Sequence, residues 1–204
     1  MRWWAVVAVS ISLVSSAGCS TRPPRDVGDG CAIFTEKPRW YDAAKESERR
    51  WGTPVPVQLA IIHQESRFEA KARPRRRRFL GFIPGPRPST AYGYSQALQS
   101  TWSVYRHETG NWSARRSDFA DSTDFVGWYT AKTSRVTGVS KRDAYNLYLA
   151  YHEGDGGFRR GTHKRKQWLL TTARRVSDLA NRYHSQLARC EKALSKRGWF
   201  SFLR

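Results

Sequence analysis

Cysteine is scarce in this chain of 204 residues, and the three that occur are Cys19, Cys31 and Cys190. Isolated cysteines lack the paired spacing of zinc ligands, so the sequence predicts no metal site, and nothing in it calls for a cofactor. If Cys19 is used elsewhere, Cys31 and Cys190 make an even pair that would form a disulfide in an oxidising compartment. Such a bond would tie the start of the mature domain to its last helix.

The chain also lacks an apolar run long enough for the membrane. The run at the N-terminus, Trp3–Val14, is shorter than the roughly 20 residues that a spanning helix needs. With a basic start before it and small residues after it, the run predicts a signal peptide over residues 1–18. The following Cys19 resembles the cysteine of a bacterial lipobox, which implies lipidation; a spare thiol after ordinary cleavage is the alternative. By the same resemblance, Ser20 favours a periplasm-facing lipoprotein anchored in the outer membrane.

Acidic residues are few, 17 against 36 lysines and arginines, and the formal net charge is +19. A balance this basic requires an anionic partner or surface. Nucleic acid fits the charge, but a secreted lipoprotein seldom meets it. We therefore expect no nucleic acid, and instead the carboxylates of peptidoglycan and the anionic heads of membrane lipids. The sequence does not determine the oligomeric state.

No repeat or long low-complexity block interrupts the mature chain. Residues 19–36 are rich in Pro, Gly and Asp and predict a lipidated N-terminus with a tether. Residues 37–198 are sufficient for one domain with its own core, and residues 199–204 form a basic, aromatic tail.

Helical patterns dominate this domain, and the predicted class is mainly α. Thr53 is a plausible N-cap, with Pro54 at the first position of a helix that ends near Glu65. Further helices are predicted over about 96–108, over about 118–135, after Ser140, and as a long amphipathic helix from Leu169 to Leu194. Strand signals are weak and allow a short hairpin between residues 79 and 94.

Three short motifs carry the polar residues that suggest chemistry. The first motif is His63–Phe68, the second is Ala91–Gln96 and the third is Leu149–Gly154. In the first, Glu65 continues the apolar face of its helix, since it lies four residues after Ile61. Burial there should raise the pKa of the carboxyl group, which is what a general acid at neutral pH requires.

The order and character of the three motifs resemble the lytic transglycosylases of the soluble-lytic-transglycosylase (SLT), goose-lysozyme-like group. The resemblance implies a lysozyme-like single domain that acts on peptidoglycan. It implies cleavage of the β-1,4 bond between N-acetylmuramic acid (MurNAc) and N-acetylglucosamine (GlcNAc), which leaves 1,6-anhydroMurNAc ends. Glu65 would serve as the only acid and base. The alternatives are a hydrolytic muramidase of the same fold and a peptidoglycan-binding lipoprotein without activity.

The resemblance also implies a set of substrate-binding residues, which are Ser66, Gly93, Tyr94, Gln96, Tyr151 and His152. Ser66 would bond the substrate or orient the carboxylate, unless it is only a hydroxyl at a helix end. Gly93 would let the backbone approach a sugar, and Gln96 would bind an acetamido group or the catalytic carboxylate. The hydroxyl of Tyr151 would approach Glu65.

Other polar positions allow more than one interpretation. His152 stands where the family usually has Asn; it could bond substrate, tune the site near pH 6.5, or simply pack at the helix end. Glu153 could be a second carboxylate for hydrolysis, although we expect it at the surface or behind the site. The run Arg75–Arg78 begins a basic, then apolar, segment that suggests a rim beside the cleft, with a solvated charge run as the alternative. Asp118, Asp121 and Asp124 are predicted to serve a helix dipole.

Overall fold

The structure is a computed structural model that describes residues 22–76, 78–79 and 83–201, with side chains described for residues 22–76 and 85–195. The predictions for the signal peptide, the lipidated cysteine and the last residues of the tail lie outside these residues. Within them, no helix is both long enough and apolar enough to cross a membrane.

Helices make up most of the described chain, which confirms the mainly α class. The elements are α1 (Gly30–Glu36), α2 (Pro38–Trp51), α3 (Val55–Ser66), β1 (Arg78–Phe79), β2 (Ile83–Pro84), α4 (Gln99–Thr109), α5 (Phe119–Thr137), α6 (Ala144–Arg159), a 3-10 turn (Thr162–Arg165) and α7 (Gln167–Ser201). The predicted hairpin is confined to β1 and β2, which pair antiparallel over two residues each.

The central helix is α3, which packs against both α5 and α7. A helix that is apolar on nearly every side must be buried, and Leu59 and Ile62 are fully buried here. The predicted N-cap at Thr53 is wrong by one residue, because Pro54 occupies that position. Thr53 is instead fully buried, and its hydroxyl shares a hydrogen bond of 2.8 Å with the hydroxyl of Thr130 on α5.

The long amphipathic helix predicted near the end of the chain is present as α7. Its apolar face includes Leu169, Val176 and Tyr183, which are buried against α3, α6 and α1. The helix continues to Ser201, so its backbone extends into the segment predicted as a tail.

The folded domain begins earlier than predicted, because part of the presumed tether is α1. Ile33 and Phe34 are fully buried against the rest of the core. The side chain of Asp29 caps this helix by accepting hydrogen bonds from the backbone N–H groups of Cys31 and Ala32. A disulfide between Cys31 and Cys190 joins α1 to α7 across 159 residues of sequence.

Helices α2 and α5 pack closely against each other. A Cβ atom at Gly127 of α5 would lie 2.4 Å from the Ser47 hydroxyl and 2.7 Å from the Trp51 ring, so only glycine fits. Ser47 also donates a hydrogen bond of 3.0 Å to the Thr123 carbonyl. The two helices therefore pack with their backbones close together.

The three aspartates at the start of α5 do not share one role. Asp118 is the N-cap and accepts from the backbone N–H of Asp121 at 3.1 Å. Asp124 was expected to serve the helix dipole, but its carboxylate accepts hydrogen bonds of 2.7 Å from the Trp51 indole and from the Tyr105 hydroxyl. It therefore links α2, α4 and α5.

Candidate active site

Glu65 lies in the last turn of α3, where the chain reverses direction sharply. Arg67 and Phe68 both adopt positive φ angles, 49° and 63°, and the Arg67 N–H closes the helix on the His63 carbonyl at 2.8 Å. Phe68 is fully buried, which holds this strained turn in place. The carboxyl group of Glu65 therefore stands at a rigid helix end.

Burial dominates the electrostatics of Glu65. Desolvation raises its pKa to about 7, and a hydrogen bond from Tyr148 lowers it in part. Glu65 as a whole residue is nevertheless partly exposed. No lysine or arginine among the described residues contributes to this pKa, so no cation stabilises the ionised form of Glu65.

Two tyrosines of α6 surround this carboxyl group. Tyr148 is the hydrogen-bond partner of Glu65, and the pKa of the Tyr148 hydroxyl is raised by burial and by the Glu65 charge. Tyr151, which the resemblance assigned to Glu65, instead donates a hydrogen bond of 2.7 Å to the Ser95 carbonyl. It lies close enough to the carboxylate for that charge to raise its own pKa, after the larger effect of burial. Tyr151 therefore ties α6 to the second motif beside Glu65.

The second motif forms a tight loop whose shape depends on Gly93. This residue has φ of 76°, and a Cβ atom there would lie 1.8 Å from the Arg116 carbonyl oxygen. The space that a side chain at position 93 would need is therefore filled by the Arg116 backbone, and the approach of Gly93 to a sugar stays a prediction. The neighbouring Tyr94 N–H donates to that same carbonyl at 3.1 Å.

Tyr94, which the resemblance assigned to substrate binding, has almost no side-chain surface open for such a contact. Its side chain is only 3% exposed. The ring makes edge contacts with Trp40 and Phe119, which stack on each other with centroids 3.9 Å apart. Tyr94 is a core residue that anchors the loop, because its aromatic ring fills the space beneath it.

Two further residues that were predicted to bind substrate, Gln96 and Ser66, donate side-chain hydrogen bonds to backbone carbonyls of the protein. The Gln96 side-chain amide donates to the carbonyls of Ala72 and Gly93 at 3.0 and 2.8 Å, and its φ of 48° excludes it from α4. The Ser66 hydroxyl donates to the Ile62 carbonyl at 3.2 Å, the helix-end role that was the alternative for this residue. In this structure, both side chains hold backbone segments of their own motifs in place.

The third motif places His152 and Glu153 in a separate polar cluster. The carboxylate of Glu153 accepts from the Lys166 ammonium at 2.7 Å and from the Thr162 hydroxyl, and lies 3.0 Å from Nδ1 of His152. Burial acts to raise the pKa of Glu153, but these hydrogen bonds outweigh it and lower the pKa to about 2. Gly154, with φ of 72° and ψ of 157°, breaks the helical geometry of α6 immediately afterwards.

Sequence reasoning missed two residues that the structure brings to these motifs. The sequence predicted no role at the site for Tyr148, although its spacing three before Tyr151 puts both residues on one side of a helix. Trp168, at the start of α7, is 57% exposed, and its ring meets the edge of His152 with centroids 5.0 Å apart. Trp168 is identified by its contact with a residue of another helix and has no local sequence pattern that marks it.

A cavity of about 480 Å³ lies at the other end of α3, and Glu65 is not among its lining residues. Its walls include Glu48 and Glu191, both of which pair with Lys45 at 2.5 and 3.3 Å. Both carboxylates are thus engaged by a cation, whereas the carboxyl group of Glu65 has none among the described residues. Among the described residues, no group of three or more His, Cys, Asp or Glu side chains could hold a metal ion.

An α-rich domain with a buried glutamate at the end of its central helix, walled by two later motifs, defines a lysozyme-like class of protein. A sequence model described as transglycosylase SLT domain matches residues 6–190, and the chain belongs to this family. The family acts on peptidoglycan as lytic transglycosylases do, which confirms the resemblance and the fold inferred from the motifs. A comparison with curated proteins gives no match.

Proposed function

We propose that this protein cleaves the β-1,4 bond between MurNAc and GlcNAc, with Glu65 as its only acid and base, and leaves 1,6-anhydroMurNAc ends. The observation that carries this proposal is a glutamate at the end of the central helix that is not fully buried as a residue and whose carboxyl pKa is raised by burial to about 7. At neutral pH a large share of such groups is protonated, as proton donation to a leaving group requires.

The chemistry balances with one carboxyl group. Glu65 donates its proton to the glycosidic oxygen, and the bond between that oxygen and C1 of MurNAc breaks. The C6 hydroxyl oxygen of the same MurNAc then bonds to C1, and its proton passes to the Glu65 carboxylate. Because the nucleophile belongs to the substrate, its effective concentration is high and no second carboxylate has to activate water. Glu65 returns to its starting state and no water is consumed.

The surroundings of the other carboxylates support this proposal over hydrolysis. Glu153 is occupied by Lys166 and Thr162, and a pKa of about 2 makes it a weak base. Asp121 and Asp124 accept hydrogen bonds from within the fold. None of these groups is available to activate a water molecule.

Mass spectrometry of the muropeptides released from purified sacculi tests the proposal. We expect products lighter by one water than the corresponding reducing muropeptides, because the ring closure at C1 replaces hydrolysis. Reducing ends would instead establish a hydrolytic muramidase. Sacculus binding without any release would establish a binding protein. Either of these results would overturn the transglycosylase assignment.

We further propose that the protein is a lipoprotein, exported by residues 1–18, anchored through Cys19 and facing the periplasm from the outer membrane. With Cys31 joined to Cys190, Cys19 is the remaining cysteine of the chain, and the bonded pair suits an oxidising compartment. Metabolic labelling with an alkyne fatty acid, followed by membrane fractionation, should mark the wild-type protein and leave Cys19→Ser unlabelled. Equal labelling of both would refute the anchor.

A further inference from the structure

A stack of two arginines on one tyrosine lies beside the second motif, and the proposed function makes no use of it. The guanidinium carbon of Arg73 is 4.3 Å from the centre of the Tyr92 ring, and that of Arg116 is 5.3 Å from it. Arg73 is exposed to solvent, whereas Tyr92 and Arg116 are partly buried. We call these three residues the arginine stack.

Arg116 is held in place by neutral groups alone. Its guanidinium donates to the carbonyls of Thr90 and Ala97 at 2.7 and 2.9 Å, and to the side-chain oxygen of Gln99 at 2.6 Å. Burial and the nearby charge of Arg73 lower the pKa of Arg116. The fold therefore brings two like charges together and compensates neither of them.

No carboxylate of the protein is available to compensate them. All 17 acidic residues of the chain lie in the part that the structure describes with side chains, and no ion pair there involves Arg73 or Arg116. Residues 70–107 contain no Asp or Glu at all. Within the described residues Arg73 makes no hydrogen bond, so its planar set of N–H donors faces solvent.

The backbone segments that carry Arg73 and Arg116 are hydrogen-bonded to the second motif of the candidate active site. The carbonyl of Ala72, directly before Arg73, accepts from the Gly93 N–H and from the Gln96 side chain at 3.0 Å each. The Arg116 carbonyl accepts from Tyr94 at 3.1 Å. A ligand held on the stack would therefore be in contact with the loop whose Ser95 carbonyl anchors Tyr151.

We propose that the arginine stack binds a carboxylate carried by the peptidoglycan strand, beside the bond that is cleaved. A guanidinium group matches a carboxylate with two parallel hydrogen bonds, and the partly desolvated Arg116 strengthens the local positive potential. The proposal rests on the proposed function for the identity of the polymer. It assigns to the stack the selection of strands by their negative charge.

Binding in a Glu65→Gln background tests the proposal without depending on cleavage. The full-length protein, in detergent, is sedimented with intact sacculi and with sacculi whose carboxyl groups have been converted to amides. We expect amidation to weaken binding, and Arg73→Gln to weaken binding to intact sacculi by roughly threefold to tenfold. On amidated sacculi Arg73→Gln should have no effect. Arg175→Gln, an exposed change of the same charge on α7, is the control and should weaken binding far less.

Two outcomes would overturn the proposal. If Arg73→Gln weakens binding equally on both forms of sacculus, the residue supports the loop and binds no carboxylate. If it changes neither, the stack serves another anion, such as a membrane lipid. If the protein binds through the stack while the wild type releases no anhydro product, the proposed function fails and the carboxylate site stands.

Strands treated with an amidase distinguish two sources of carboxylate. Removal of the stem peptides frees the lactyl carboxylate of MurNAc and takes away the carboxylates of the peptide. If the Arg73→Gln effect persists on these strands, the stack binds the lactyl group. If the effect disappears, it binds the stem peptide. Either result supports a carboxylate site.

Discussion

Glu65 lies in the first motif and Glu153 in the third, and the fold shifts the pKa values of their carboxyl groups in opposite directions. The pKa of Glu65 rises to about 7, and that of Glu153 falls to about 2. Burial acts in the same direction on both, towards a higher pKa. The difference comes from the partners: Glu153 has an ammonium group at 2.7 Å, whereas Glu65 has only the hydroxyl of Tyr148.

This contrast shows that burial alone does not make a general acid. The Glu153 side chain is only 4% exposed, yet it is the stronger acid of the two. A buried carboxyl group without a cation stays protonated near neutral pH, and one with a cation becomes a fixed anion that holds structure together. The raised pKa of Glu65 therefore depends on the absence of a lysine or arginine beside its carboxyl group among the described residues.

Glu65→Gln should have the largest effect on activity. The amide keeps the shape of the side chain but cannot donate a proton to the leaving oxygen, and general acid catalysis is worth on the order of 10² to 10⁴ in rate. We expect release of anhydro muropeptides from sacculi to fall by about 10³-fold. Retained activity would remove Glu65 from the mechanism.

The same variant should fold normally, which separates chemistry from stability. The pKa of Glu65 is raised in the folded state, so its contribution to stability is present below about pH 4.5 and is lost as the pH rises through about 7. Above that pH the wild type must keep a buried charge, and the glutamine does not. Thermal melting at pH 8 should therefore show Glu65→Gln to be no less stable than the wild type.

Removal of the disulfide between α1 and α7 should have the largest effect on stability. Its two cysteines are far from both Glu65 and Glu153 in the sequence. The bond closes a loop over 159 residues of sequence. Replacing Cys31 and Cys190 with serine removes this restraint from the unfolded chain, which raises the entropy of the unfolded state. In a chain-entropy account such a loop is worth about 5 kcal/mol. Denaturant unfolding of the double variant, compared with the oxidised wild type in the absence of reductant, measures it. An unchanged free energy of unfolding would contradict the bond.

Glu153→Gln should cost stability and leave the chemistry largely intact, the reverse of Glu65→Gln. Because the pKa of Glu153 is lowered, its stabilising effect is present above about pH 4.5 and is lost as the pH falls towards 2. Near pH 7 we expect a loss of about 1 to 2 kcal/mol, since the Glu153 side chain is buried but its partner Lys166 is 40% exposed and solvent screens part of the attraction. Denaturant unfolding at several pH values should show the difference shrink in acid.

Glu46→Gln is the matched control for this change. Glu46 also pairs with a cation, Arg49, but its side chain is 63% exposed. Solvent screens such a pair, so its removal should change the free energy of unfolding by less than about 0.5 kcal/mol. If both variants lose the same amount, the Glu153 cluster is no more than an ordinary surface ion pair. If Glu153→Gln lost as much activity as Glu65→Gln, Glu153 would have a role in the reaction and the distinction between the two glutamates would fail.

Much of the fold could be predicted because its patterns are local. The steps of three and four from Leu169 onwards define α7, and the apolar run before Glu65 defines α3. The tether was placed too far along the chain because α1 is short and surrounded by Gly and Asp. Only its contact with α7 reveals that Ile33 and Phe34 are core residues.

The site was harder to predict because its roles depend on contacts between distant segments. The position of Glu65 follows from its own helix. The roles of Tyr94, Gln96 and Tyr151 do not, since each depends on which backbone groups the fold brings within reach. Local sequence fixes neither the Tyr94 contact with Trp40 nor the Tyr151 bond to Ser95.

The smallest expected effect tests which tyrosine governs Glu65. The Tyr148 hydrogen bond favours the ionised carboxylate and lowers the pKa, so Tyr148→Phe should raise it. Because Glu65 must be protonated to act, kcat/KM should fall as the pH rises through about 7, and in Tyr148→Phe this fall should move to higher pH by up to about one unit. The pH profile of muropeptide release measures both.

Tyr151→Phe is the matched control, since it removes a hydroxyl from the same helix face that bonds to Ser95 and not to Glu65. This variant should lower activity by loosening the second motif, while the pH at which kcat/KM falls stays where it is in the wild type. A shift in Tyr151→Phe and none in Tyr148→Phe would reverse the assignment. It would mean that the bound substrate draws Tyr151 away from Ser95 and onto the acid, as the family resemblance implied. The position of one limb of a pH profile thus decides between the two arrangements.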